Sequence, residues 1–64
     1  MNRIKEVLKE VGMSQIDFSK KLKVSKQYIN DICRNRTQPS LKTLNEWANI
    51  LNVDVRTMLE PSKE

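Results

Sequence analysis

Histidine is absent from these 64 residues, and cysteine occurs once, at Cys33. An internal disulfide is therefore excluded, and no cluster of soft ligands remains for a structural zinc. With no histidine and no sign of a carboxylate pair in an apolar pocket, no general acid–base set can be assembled; an enzyme is disfavoured and no cofactor is expected. Glycine occurs once and proline twice, at Gly12, Pro39 and Pro61. With so few breakers, and with Lys, Glu, Leu, Gln and Arg plentiful, an all-α class is favoured. No apolar run approaches the roughly 20 residues that span a bilayer. The start MNRIKEVLKEVG interleaves charges where a signal peptide would be continuously apolar. The chain reads as soluble and cytoplasmic, with no membrane association. Its length suits one domain with a modest core, so helix packing, aided by a partner subunit, must supply the stability that no staple provides.

What is present is positive charge, unevenly placed. The net charge is +4. Residues 1–14 hold Arg3, Lys5 and Lys9 against Glu6 and Glu10; residues 37–64 hold Lys42, Arg56 and Lys63 against Glu46, Asp54, Glu60 and Glu64. The excess lies between them, where Lys20, Lys21, Lys23, Lys26, Arg34 and Arg36 face only Asp17 and Asp31. Such a stripe is either a solvated lysine face or the electrostatic footprint of a polyanion binder.

Periodicity places five helices. Ile4, Val7, Leu8 and Val11 share one face of a first helix that ends near Gly12, a residue suited to a left-handed cap. Ser14 caps a second helix with Asp17 in a capping-box position, and Phe18 and Leu22 turn inward. Ser25 caps a third, whose inward face is Ile29 and Ile32, so that Lys26, Gln27, Asn30 and Asp31 project away from the core. The segment RNRTQP breaks the pattern, with Asn35 its residue most tolerant of positive φ. Ser40 caps a fourth helix with Leu41, Leu44, Trp47, Ala48 and Leu51 along its apolar stripe. Asp54 caps a last short helix, VRTMLE, which Pro61 stops. These elements make one domain over 1–60, with a frayed tail at 61–64.

The second and third helices are separated only by the joint KVS, which predicts a helix-turn-helix over residues 14–33, with Val24 buried beneath the joint. Ser19 is small where the two helices come closest, although an ordinary exposed serine is the alternative. The stretches MSQIDFSKKLKVSKQYINDI and QPSLKTLNEWANILNVDVRTML together resemble the Cro and phage-repressor helix-turn-helix family, also called the xenobiotic-response-element type. The resemblance covers about residues 3–60. Two departures are visible: Ser19 stands where that family usually has alanine, and Cys33-Arg34-Asn35 where it commonly has Glu-Asn-Gly.

That resemblance implies a compact five-helix bundle of the lambda-repressor-like DNA-binding type, acting on double-stranded DNA. Lys26 and Gln27 match positions that read base edges, Lys donating to guanine and Gln pairing with adenine. Asn30 would read adenine or hold a phosphate. Gln15 matches a phosphate-contacting position at a helix N-terminus; its alternative is a surface helix former. Ser25, Arg34 and Arg36 would add backbone contacts, and Asp31 is expected to pair with Arg34. Tyr28 is open between phosphate contact and core packing. Trp47 and Cys33 read as packing residues. A homodimer on pseudo-palindromic half-sites is implied, with Ile50, Val55, Met58 and Leu59 as candidate interface; capping of the monomer core is the alternative for the last helix. Ile16 is either a second contact or a surface isoleucine. The leading function is a transcriptional regulator, most simply a repressor. An antitoxin-like or mobile-element control protein with a protein partner is the runner-up, and a helical protein-interaction module without specific DNA binding is the third reading.

Overall fold

The computed structural model describes residues 2–59. Within them run four α-helices, α1 (Ile4–Val11), α2 (Gln15–Leu22), α3 (Lys26–Cys33) and α4 (Leu41–Leu51), followed by a 3-10 turn, Val55–Met58. The expected fifth helix is therefore one 3-10 turn: Asp54 caps it, but the chain is already extended at Leu59. The expected frayed tail lies outside the described residues.

The helix starts follow local chemistry. Ser14, Ser25 and Ser40 are extended, and each side-chain oxygen accepts a backbone N–H three residues on, from Asp17, Tyr28 and Thr43. The helix ends share one solution. A residue at positive φ closes each of them: Gly12 at 78°, Lys23 at 60°, Asn35 at 60° and Asn52 at 58°. In every case the next N–H reaches back five residues, as in Val24 N–H to the Ser19 carbonyl at 3.0 Å and Arg36 N–H to the Asp31 carbonyl at 2.9 Å. This double-bonded ending satisfies carbonyls that the helix leaves free. Gly12 and Asn35 take the conformation easily. Lys23 does so at a penalty of roughly 1–2 kcal/mol.

The core gathers Ile4, Val7, Leu8, Phe18, Ile29, Ile32, Leu44, Trp47 and Met58. Phe18 meets Trp47 edge-on, with ring centroids 5.3 Å apart, a favoured arrangement for aromatic pairs. Ser19 is buried, as its position beside α3 requires, and its hydroxyl donates to the Ile16 carbonyl at 2.7 Å. Three expected core positions face water instead: Val11, Val24 and Leu41, the last 63% exposed. Val11 and Leu41 stand at helix ends, past the reach of the neighbouring helix. Val24 follows the left-handed Lys23, which turns its side chain outward.

Near the far end, Asp54 accepts the Arg56 backbone N–H at 2.9 Å, and Arg56 Nη2 lies 2.8 Å from its Oδ2. The side-chain bond from Arg56, then the backbone bond, hold the Asp54 carboxyl down to about 2. The folded value lies below the unfolded one, so this contribution is full above about pH 4 and is lost as pH falls toward 2. Asp54→Asn is expected to give a shallower decline of the urea midpoint across that window than the parent shows. Parallel declines in the two proteins would mean the pair contributes nothing.

Candidate nucleic-acid interface

The sharp α2–α3 joint brings the starts of both helices to one side of the molecule. They enclose an open concavity of about 480 Å³ lined by Ser14, Gln15, Ile16, Lys26, Gln27 and Asn30. Two local facts place polar groups there. Each serine cap takes an N–H at the third helical position, so the N–H groups before it have no partner within their own helix. The inward turn of Ile29 and Ile32, both fully buried, forces Lys26 and Gln27 outward.

The site is also internally braced. Asn30 donates from its side chain to Gln15 Oε1 at 3.3 Å, joining α3 to the start of α2. Gln27 donates to Asp31 Oδ1 at 2.9 Å, one turn along α3, which restricts the free rotation of its amide. Asp31 does not pair with Arg34, as the sequence suggested. Its carboxylate meets Gln27 and lies 4.0 Å from Arg36 Nη1. The helix ends at Cys33, and the turn through Asn35 folds Arg36 back until its N–H bonds the Asp31 carbonyl, bringing that side chain alongside. Arg36 therefore has a loose acidic neighbour that the sequence had not shown.

The remaining candidates divide. Ser25 caps α3 and is exposed beside Lys26. Tyr28 combines both of its readings: its ring is 6.3 Å from that of Trp47, edge-on, while the residue stays 39% exposed. Arg34 is exposed at the end of α3. Ile16 lies in the wall of the concavity at 47% exposure. Trp47 and Cys33 are buried, and burial pushes the Cys33 thiol up, away from its reactive form. Of the four apolar residues offered for self-association, Met58 is withdrawn. It is completely buried under α1, and its carbonyl accepts the Arg3 N–H at 2.8 Å. A 3-10 turn packed against α4 and α1 points this side chain into the core. Val55 is half-buried against the same core, whereas Ile50 and Leu59 are exposed.

Sequence reading overlooked Asn2, which is buried and hydrogen-bonded to the start of α1, to the last turn of α3 and to the segment after it. An asparagine just before an apolar-periodic run is a helix-start signal. Nothing local foretells its long-range partners.

Comparison with known proteins agrees with this geometry. A family model described as helix-turn-helix matches residues 4–57. The transcriptional regulator SinR of Bacillus subtilis (strain 168) is 38% identical over 63 residues, covering 97% of this chain and 57% of SinR. The immunity repressor protein of Bacillus phage phi105 is 37% identical over 57 residues, covering 89% of this chain and 40% of that protein. The chain thus spans little more than half the length of the SinR protein it matches. A crystal structure from Bacteroides fragilis, of a candidate DNA-binding protein, superposes with a TM-score of 0.86 at 38% identity, covering 91% of this chain and 94% of the other. The chain belongs to the helix-turn-helix family of the Cro and phage-repressor type.

Proposed function

We propose that this chain is a sequence-specific binder of double-stranded DNA that regulates transcription, acting as a repressor in the cytoplasm with no enzymatic activity. The observation that carries the reading is the single concavity in which Gln15 of α2 meets Lys26, Gln27 and Asn30 of α3. An α-helix with its side chains is about 10–12 Å across, which suits the roughly 12 Å width of the major groove. With α3 in the groove, Lys26, Gln27 and Asn30 read base edges. The free N–H groups at the start of α2, with Gln15, hold a phosphate. Ser25, Tyr28, Arg34 and Arg36 contact the backbone on either side, fixing register without specifying sequence. No additional surface is needed for repression, since an occupied promoter is closed to other proteins.

A homodimer completes the reading. The molecule measures 36 × 24 × 21 Å, a size compatible with two copies on half-sites about one DNA turn, roughly 34 Å, apart. Ile50 and Leu59, exposed, with Val55 at the margin, are the residues for that contact. The domain responsible is residues 1–60. Names among the relatives favour one variant of this function: besides the immunity repressor, a 10 kDa protein of the ImmF control region of phage phi105 is 36% identical over 55 residues. Control of a mobile element is therefore the second reading, with a protein partner as its added requirement.

The test is selection from a random duplex library, followed by anisotropy titration of the winner and a scrambled control at about 50 and 200 mM salt, with sedimentation of the free protein alongside. A pseudo-palindromic winner bound about 10³-fold above control is expected, with affinity falling steeply as salt rises. Equal binding of winner and control would reduce the basic stripe to a general polyanion surface.

A further inference from the structure

A buried amide outside the site carries three side-chain hydrogen bonds. Asn2 is 5% exposed. Its Oδ1 accepts the Ile4 N–H at 3.0 Å, giving a partner to the first N–H of α1. Its other bonds end in the last turn of α3 or just beyond it: Nδ2 donates to the Ile32 carbonyl at 3.0 Å and to Gln38 Oε1 at 3.0 Å, and its backbone N–H donates to Asn35 Oδ1 at 2.9 Å. Gln38 Nε2 in turn donates to the same Asn35 Oδ1 at 3.0 Å. Three amides, from residues 2, 35 and 38, thus close on one another across more than 30 positions of sequence.

Starting α1 explains the first of these bonds and none of the rest. The others converge on the segment that carries Arg34 and Arg36, both exposed. Asn35 is central to it. At φ 60° a glycine would be equally comfortable, but a glycine offers no oxygen to the Asn2 N–H or to Gln38. We infer that Asn2, with Asn35 and Gln38, is a positioning device that holds the basic loop 34–36 ready for phosphate contact. A loop ordered before binding loses less conformational freedom when it meets DNA, so its charges contribute more to affinity. This inference rests on the reading of the chain as a duplex-DNA binder.

The experiment uses the full chain with Asn2→Ala and, separately, Asn35→Gly, which keeps the left-handed turn but deletes the shared acceptor. Backbone ¹⁵N relaxation is measured on the free proteins, and salt-dependent titration is made with the duplex recovered by selection. Both variants are expected to stay folded, with order parameters at 34–38 falling from about 0.85 toward 0.6 while α2 and α3 are unchanged. Affinity near 100 mM salt should drop about 10-fold, the salt slope should fall by about 1, and the preferred base at each position should be retained. Variants that melt earlier yet keep the loop's order parameters and the salt slope would overturn the clasp and leave the DNA-binding reading standing. A parent protein that binds no duplex would overturn that reading, and the role assigned to Asn2 with it.

Discussion

Replacing Phe18 by alanine is expected to lower the melting temperature by 15 °C or more, on the order of 4–8 °C for each kcal/mol lost from a domain this small. Phe18 is fully buried and stands edge-on to Trp47, so the truncation removes both a buried ring and an aromatic pair. Phe-to-Ala changes in cores cost about 3–5 kcal/mol. At about 0.05–0.15 kcal/mol per residue, a domain of this size has only a few kcal/mol in reserve, so the variant should be substantially unfolded at 37 °C. Circular dichroism melts of Phe18→Ala beside Leu41→Ala make the comparison. Leu41 is 63% exposed, and its loss should change stability by no more than about 0.5 kcal/mol. A Phe18→Ala protein that melts with the parent would mean that Phe18 of α2 does not pack against Trp47 of α4 as described.

Reversing the charge at Lys26 should separate binding from folding. Lys26 is exposed at the first position of α3, a helix with no acidic residue in its first turn. A cation there opposes the positive end of the helix dipole, and a carboxylate would be favoured by about 0.3–1 kcal/mol. Lys26→Glu is therefore expected to leave the melting temperature unchanged or slightly raised. Its effect on the selected duplex should be the reverse: loss of a base contact worth about 1–3 kcal/mol, with repulsion from the phosphates added. Affinity should fall about 100-fold or more near 100 mM salt. Binding that survives this reversal, in a protein as stable as the parent, would turn the search toward a protein partner.

The candidate site was legible in part because its residues are adjacent in sequence. Once Ile29 and Ile32 face inward, the helical period leaves Lys26, Gln27 and Asn30 on the other face, and this needs no knowledge of the rest of the fold. The serine caps were equally local, since each bonds an N–H three residues away. Errors arose where an element ends. Asp54 and the apolar residues after it suggested a fifth α-helix, but the segment is one 3-10 turn. Met58 had helical spacing with Val55 and Leu59, yet its burial depends on α1 lying over it. The Asp31–Arg34 pair was expected of the nearest cation in sequence, but the helix ends at Cys33 and the left-handed turn at Asn35 brings Arg36 in instead.

The chain's own pattern thus determined an all-helical fold, the positions of α1 to α4, the tight α2–α3 joint and the outward face of α3. These follow from interactions spanning three or four residues, whose geometry the backbone repeats identically in any helix. The tertiary structure decided which apolar residues are core, that Gln15 bonds Asn30, and that Asn2 closes on Asn35 and Gln38. Those contacts join residues 15 to 36 positions apart. Their existence depends on how whole helices come to rest against one another, which side-chain period alone does not specify.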